Sequence, residues 1–111
     1  MKQYHLNREI FYCPVDLTLS VVGGRWPGLI IWNLRNKTLR FNELKRSLVV
    51  INDKMLSQSL KKLVDQGVLF RKSYNSIPPK VEYSLTDQGR DLLPIFYSMQ
   101  KWGDDYNIDD L

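Results

Sequence analysis

The sequence has very little of the chemistry from which catalytic and metal sites are built. Its 111 residues include one cysteine and one histidine, too few for an internal disulfide or for a zinc site of cysteine and histidine ligands. No glycine-rich loop could cradle a phosphate, since Gly23-Gly24 is better interpreted as a helix stop. The sequence therefore predicts a protein that is not an enzyme and that uses no metal or cofactor.

Long apolar runs and targeting signals are also absent. No apolar stretch is long enough to cross a bilayer, and the first residues lack the charged region and apolar core of a secretory signal. The 13.1 kDa chain is 43% hydrophobic and 25% charged, as expected of one globular domain covering residues 1–111. We expect a cytoplasmic protein with no membrane partner.

Acidic residues are scarce in the middle of the chain. Positions 35–80 hold eleven lysine and arginine residues against three acids, whereas four of the twelve acids lie in an acidic tail at 104–111. A basic segment is typical of a protein with a polyanionic partner, although solvated surface faces give the same pattern. The charge distribution alone does not distinguish nucleic acid binding from a solvated surface. The positions of the basic residues in the predicted fold are needed to separate the two.

The spacing of apolar residues, together with residues that typically begin or end helices, predicts four helices in the first part of the chain. The first begins after Cys13 with Pro14 and ends before Gly23, and the second, apolar nearly all round, covers 26–34. A short helix at 41–47 precedes a longer one that Asn52 caps and Gly67 ends. The last two form a helix–turn–helix, because the second has an apolar stripe and a polar opposite face.

Strand-like runs at 68–74 and 81–85 follow, and the proline-containing turn between them predicts a β-hairpin. Thr86 then caps a last helix, which Pro94 should bend or divide. A helix–turn–helix followed by a hairpin is the winged-helix arrangement. The predicted fold class is therefore α+β, mostly helical, with a two-stranded wing.

Polar side chains on and around the second helix of the pair are candidates for DNA contact. The major groove admits one helix, and reading base edges requires donors and acceptors near the N-terminal half of that helix. Basic and polar residues further along it and at the start of the preceding helix are placed to contact phosphates, and those on the hairpin are placed to contact an adjacent minor groove or phosphate. The candidates are Arg40, Asn42, Asn52, Asp53, Lys54, Ser57, Gln58, Lys61, Lys62, Arg71, Ser76 and Lys80.

Cys13 has two interpretations. It precedes Pro14 at a helix start, where unpaired backbone N–H groups and the helix dipole would favour a reactive thiolate that senses oxidants or electrophiles. Alternatively it is a buried structural N-cap, since free cysteines are among the most buried residues and Phe11 and Tyr12 adjoin it.

Both ends of the chain carry more apolar surface than so small a domain can bury. The residues concerned lie at 4–22 and 92–108, whereas Trp26 and Trp32 are expected in the core. The simplest explanation is a homodimer through dimerisation helices within 1–22 and 87–108, which would place two recognition helices on successive major grooves. A small-molecule pocket between the subunits is an alternative use of the same surface.

Five segments of the sequence resemble the HxlR-type branch of the MarR-like winged-helix transcription regulators. They lie within a family-like core at 13–93: Cys-Pro-Val at 13–15, Gly-Gly-Arg-Trp at 23–26, Leu-Arg-Phe-Asn-Glu-Leu at 39–44, Lys-Met-Leu-Ser at 54–57 and Pro-Pro-Lys-Val-Glu-Tyr-Ser-Leu-Thr at 78–86. The resemblance implies a homodimer, joined through its terminal helices, that binds a pseudo-palindromic operator and, as in most members, represses transcription. In several members the cysteine of the Cys-Pro motif responds to quinones, hypochlorite or other electrophiles, and Cys13 stands at that position.

The chain departs from the family pattern in two places. The family usually has glycine before Ile51 and serine after it, where this chain has Val50 and Asn52, so the base preference cannot be transferred. There is also no second cysteine. Oxidation of Cys13 would therefore give an intersubunit disulfide, a mixed disulfide or an adduct.

Two other functions are alternatives to a thiol-switched regulator. One is a winged-helix regulator that responds to a non-covalent ligand at the dimer interface. The other is a winged-helix module that binds protein, which would need an apolar patch on the face of Asp53, Ser57 and Lys61, and the sequence shows none there.

Overall fold

A computed structural model describes residues 3–107. Ten elements follow one another in this range: β1 (Tyr4–Leu6), β2 (Glu9–Phe11), α1 (Pro14–Val22), α2 (Arg25–Asn33), α3 (Phe41–Leu48), α4 (Asp53–Asp65), β3 (Leu69–Tyr74), β4 (Lys80–Leu85), α5 (Asp87–Asp91) and α6 (Leu93–Tyr106). The predicted α+β, mostly helical winged-helix class is confirmed. Some predicted features lie outside the described residues: positions 1–2 and 108 of the dimerisation segments, and Asp109 and Asp110 of the acidic tail. Within 3–107, no helix is long and apolar enough to span a membrane.

Residues 4–11 form a β-hairpin, so the prediction of a dimerisation helix was wrong for this part of 1–22. Strand β1 pairs antiparallel with β2, with Tyr4 opposite Phe11. Asn7 and Arg8, at φ values of 50° and 72°, form the two-residue turn whose twist suits a hairpin. Phe11 is buried, and the hairpin packs against α1.

Helix α2 lies at the centre of the core, as its apolar pattern predicts. Ile30 and Ile31 are fully buried and Leu34 is nearly so. Trp26 and Trp32 are half-buried and pack against the edge of this core. Helix α2 contacts α1, α3 and α4, so it supports the whole helix–turn–helix.

Helices α3 and α4 bury the stripes that the sequence predicts. The buried residues are Leu44 and Leu48 of α3, Ile51 of the connection, and Leu56, Leu60 and Leu63 of α4. Asn52 is the predicted N-cap of α4, and its Oδ1 accepts a hydrogen bond of 2.8 Å from the Met55 N–H.

The C-terminal end of α4 is closed by a Schellman motif. Gly67 has the left-handed φ of 76° that this motif requires. Its N–H donates to the Val64 carbonyl, and the Val68 N–H donates to the Leu63 carbonyl, both at 3.0 Å. The chain therefore leaves the helix in a fixed direction and enters β3 directly.

Strands β3 and β4 form the predicted wing, with Leu69 opposite Leu85 at its base and Tyr74 opposite Lys80 near its tip. Strand β4 begins at Lys80, one residue before the predicted start. Leu39 exchanges two backbone hydrogen bonds with Tyr83. The segment before α3 is therefore attached to the edge of the wing.

Thr86 joins the end of the wing to the end of α4. Its hydroxyl donates to the Gly67 carbonyl at 2.6 Å and accepts from the Gly89 N–H at 3.1 Å, which confirms it as the cap of α5. The predicted division of the last helix is also confirmed, because α5 ends before Pro94, which lies in the first turn of α6.

Gly89 is packed too tightly for a larger residue. A methyl group there would lie 2.3 Å from the Val68 carbonyl oxygen and 3.3 Å from Leu85. We expect Gly89→Ala to lower the free energy of unfolding by about 1–3 kcal/mol, measured by urea unfolding followed by circular dichroism. The control is Gly103→Ala in α6, where no heavy atom lies within 4 Å of the added methyl. This change should leave stability unchanged or raise it by up to ~1 kcal/mol, and equal losses in both variants would contradict the packing argument.

Candidate nucleic-acid interface

The outward face of α4 is polar along its length. With 100° of rotation per residue, Lys54, Gln58 and Lys61 lie opposite the buried leucines, and all three side chains are exposed. Ser57 is exposed on the flank that faces the wing. This face presents the donors and acceptors that base edges can pair with, as the sequence predicts.

The start of α4 is held by two polar contacts. The Oδ1 of Asn52 is used in the N-cap, so this residue positions the helix. The carboxylate of Asp53 lies 2.6 Å from the Nζ of Lys45 in α3. An acid at the tip of the candidate recognition helix is therefore partly neutralised by a lysine of the preceding helix.

A groove between α4 and the wing gathers three of the predicted residues. Ser57 and Lys61 line it from α4 and Arg71 lines it from β3, above a floor to which Phe41 and Tyr83 contribute. Lys61 also forms an ion pair of 3.1 Å with Asp65 on the next turn of the helix. Arg71 donates to the Ser73 hydroxyl at 3.0 Å.

Arg71 and Lys80, both predicted on the wing, lie on opposite faces of it. Side chains alternate along a strand, and the register places Lys80 opposite Tyr74, three residues beyond Arg71. The Nζ atoms of Lys80 and Lys72 lie 4.6 and 4.8 Å from the centroid of the Tyr74 ring. Lys80 is also 3.8 Å from a Glu82 oxygen.

Three other predicted residues lie at the margins of this surface. Arg40 and Asn42 are exposed at the start of α3, where the Arg40 N–H donates to Glu43 Oε1 at 2.8 Å. Ser76 lies at the wing tip, and its hydroxyl donates to the Pro78 carbonyl at 2.9 Å.

Lys62 is not brought together with the groove residues. It lines a separate pocket on the other flank of α4, beside Asn7 and Glu9 of the N-terminal hairpin. The sequence could not indicate this, because the hairpin itself was not predicted. A phosphate contact by Lys62 stays a prediction.

Sequence reasoning missed three basic residues near this surface. Lys45 and Arg46 are exposed in the last turn of α3, and Lys72 is exposed on the outer face of the wing. Strand alternation alone could have placed Lys72 on the outer face, since a residue adjacent to Arg71 must lie on the opposite face of the wing.

Cys13 is exposed, so the alternative interpretation of a buried N-cap was wrong. It occupies the N-cap position of α1, but its side chain makes no capping hydrogen bond. Asp16 reaches back instead, and its Oδ2 accepts from the Tyr12 N–H at 2.9 Å. The thiol therefore has no capping role.

Groups of three or more potential metal ligands are absent from residues 3–107. The polar groups that the structure does assemble, on α4 and the wing, are hydrogen-bond donors and cations suited to a polyanionic duplex.

Comparison with known proteins identifies the family. The profile of the HxlR-like helix-turn-helix family matches residues 21–110. YybR of Bacillus subtilis (strain 168), an uncharacterised HTH-type transcriptional regulator, is 44% identical over 103 residues, which are 93% of this chain and 81% of that protein.

Two solved structures of regulators are similar over most of the chain. The redox regulator HypR in its oxidised form is 43% identical with a TM-score of 0.82, over 87% of this chain and 99% of that one. The transcriptional regulator YodB from B. subtilis in its reduced form is 35% identical with a TM-score of 0.76, over 88% and 97%. YybR and YodB are described as transcriptional regulators and HypR as a redox regulator, and none of them as an enzyme. With this fold, this polar recognition face and a family profile that spans most of its length, the chain belongs to the HxlR-like helix-turn-helix family of transcription regulators.

Proposed function

We propose that the protein is a cytoplasmic, homodimeric repressor that binds a pseudo-palindromic operator and releases it when Cys13 is modified. The DNA-binding part of this proposal depends on one observation above all. Ser57 and Lys61 of α4 face Arg71 of the wing across a groove, so a helix that enters the major groove would bring the wing to the adjacent backbone.

The contacts of the twelve predicted residues divide by chemistry. Lys54, Ser57 and Gln58, on the first two turns of α4, would reach base edges, with Asp53 as an acceptor. The cations on the later turn, on the wing and at the start of α3 would contact phosphates and set the salt dependence of binding. The polar side chains of Asn42 and Ser76 would add uncharged contacts to the backbone. Asn52 would support these contacts by fixing the helix start.

A second copy of the chain is the proposed partner of helix α6. Ile95, Met99, Trp102 and Tyr106 follow one another at spacings of four, three and four residues, and their exposure ranges from 42% to 68%. This is the spacing of a seam between packed helices. The Trp102 and Tyr106 rings stack at 4.6 Å, so they already form one continuous aromatic patch.

Exposed apolar residues of α1 and of the chain before it would extend the same interface. They are Ile10, Tyr12, Val15 and Leu19. A two-fold dimer buries such a patch against its own copy and fixes the separation of the two α4 helices. For successive major grooves on one side of the duplex, that separation is about 34 Å.

Modification of Cys13 would act through this interface. The exposed thiol lies between Tyr12 and the start of α1, both next to the proposed dimer surface. An oxidant such as diamide would join two Cys13 thiols as a disulfide and take up their two hydrogens, whereas a quinone would form an S–C bond and accept the thiol proton. Either product would shift the packing of α1 and spoil simultaneous contact with both half-sites. HypR, a relative described as a redox regulator, supports this proposal.

A second candidate function is release by a non-covalent ligand. A cavity of about 380 Å³ lies between α2 and α6, lined mainly by apolar side chains that include Trp32, Phe96 and Met99, with Arg25 at one side. A ligand there would contact both the support of the helix–turn–helix and the proposed dimer helix. Such a ligand would still release DNA from a Cys13→Ser variant.

Lys61→Ala and Arg71→Ala should each weaken binding to DNA from upstream of the protein's own gene. Each should also reduce the slope of log K against log salt concentration by about 1, because each removes one phosphate contact. Fluorescence anisotropy over a salt series measures both quantities. The matched control is Lys101→Ala, since Lys101 is as exposed as Lys61 and also pairs with an aspartate one turn later. An equal effect of all three changes would refute the groove as the DNA site.

Trp102→Lys should convert the dimer to a monomer, because it places a charge in the centre of the proposed α6 seam. Light scattering after size exclusion should give twice the 13.1 kDa chain mass for the natural protein and once that mass for the variant. Lys72→Ala, on the outer face of the wing, serves as the control and should stay dimeric. A natural protein that runs as a monomer at all concentrations would rule out the dimer.

Cys13→Ser should bind DNA as tightly as the natural protein but resist release by diamide. Because Cys13 is the only cysteine, the variant has no other thiol to oxidise. Anisotropy with and without diamide measures release, and a non-reducing gel shows whether a disulfide dimer forms. Release of the variant by diamide would place the switch elsewhere.

A further inference from the structure

The turn between α3 and α4 exposes two consecutive valines. The side chains of Val49 and Val50 are 79% and 68% exposed, whereas the adjacent Ile51 is 3% exposed and belongs to the core. The two valines therefore contribute little to the packing that holds the helix–turn–helix together.

The backbone at Val49 makes this exposure more unusual. Val49 has φ 51° and ψ −59°, and the Val50 N–H donates to the Leu48 carbonyl at 2.6 Å. This is a three-residue γ-turn of the rare kind, in a region that β-branched residues avoid. Valine is thus unfavourable here both for solvation and for backbone conformation, so folding does not explain its presence.

The surroundings of this turn are basic. Lys45 and Arg46 precede it in the last turn of α3, and Lys54 follows it in the first turn of α4, all exposed. The one nearby acid on α4, Asp53, is paired with Lys45. A polyanionic partner that also offers an apolar group would therefore complement this place in both charge and hydrophobicity.

Duplex DNA combines a polyanionic backbone with an apolar group on one of its bases. The thymine C5-methyl is the apolar group that the major groove displays among its donors and acceptors. We propose that Val49 and Val50 contact thymine methyl groups at the edge of the bases read by α4, and so favour thymine at a defined position in each half-site. This inference rests on the proposed DNA-binding function and adds a base preference to it.

The test compares thymine with uracil, which differs from it only by the C5-methyl. Selection from a random duplex pool with the natural protein supplies a preferred duplex, and each thymidine in it is then replaced singly by deoxyuridine. At one or two positions per half-site, the replacement should weaken binding about fourfold, as expected for the loss of one buried methyl group. The double variant Val49→Gly, Val50→Gly, which removes both side chains and suits the φ of 51° at position 49, should bind the thymine and uracil duplexes equally well.

The control variant is Ile77→Ala at the wing tip, where another apolar side chain is fully exposed. It should keep the fourfold preference, and circular dichroism should show that both variants remain folded. If no uracil replacement weakens binding, or if the preference survives in the double valine variant, the inference is wrong while DNA binding stands. If the natural protein enriches no duplex at all, the proposed function fails and the inference fails with it.

Discussion

The relative position of α4 and the wing depends on one small hydrogen-bonded junction. Thr86 donates to Gly67 at the end of α4 and accepts from Gly89 in α5, while the Thr86 N–H donates to the Val68 carbonyl at 3.1 Å. This junction of a few residues therefore connects the end of α4, the base of both wing strands and the start of α5. Because Gly89 leaves no room for a side chain at this point, the junction has little freedom to adjust.

This rigidity explains how a short chain can present two different kinds of contact together. The groove between Lys61 and Arg71 has a fixed width only if α4 and β3 hold a fixed angle, and the Schellman motif at Gly67 provides that angle. The proposed dimer surface lies on other elements, α1 and α6. In the proposed dimer, a change at Cys13 would therefore move the α4–wing unit of one subunit relative to that of the other. The internal geometry of each unit would stay the same.

Much of the fold could be predicted because local rules govern it. The Asn52 cap, the Gly67 stop, the Thr86 cap and the division at Pro94 each follow from the chemistry of one residue, and the structure confirms all four. The N-terminal hairpin could not be predicted in this way. Its strands have three residues each, too few to show alternation, and its Asn-Arg turn lacks the glycine that usually marks such a hairpin.

The candidate site was predictable in composition but only partly in arrangement. The polar face of α4 follows from helical periodicity, and the separation of Arg71 from Lys80 follows from strand alternation and register. The Lys45–Asp53 pair depends on the angle between two helices, which no spacing in the sequence encodes. For the same reason, the position of Lys62 beside the hairpin was beyond sequence reasoning.

The pairing of Asp53 with Lys45 gives the two ends of the proposed DNA surface unequal electrostatic character. At the tip of α4 the carboxylate offsets Lys45, so this tip stays basic through Arg46 and Lys54 but attracts phosphate less than three cations would. The wing has three cations, Arg71, Lys72 and Lys80, and Glu82 is the one acid that pairs with any of them among the described residues. In the proposed complex the wing would therefore supply attraction that does not depend on base sequence, while the tip of α4 would gain binding energy only where its side chains match the bases. If the proposal holds, the protein would remain on the DNA backbone through the wing while α4 samples successive base sequences.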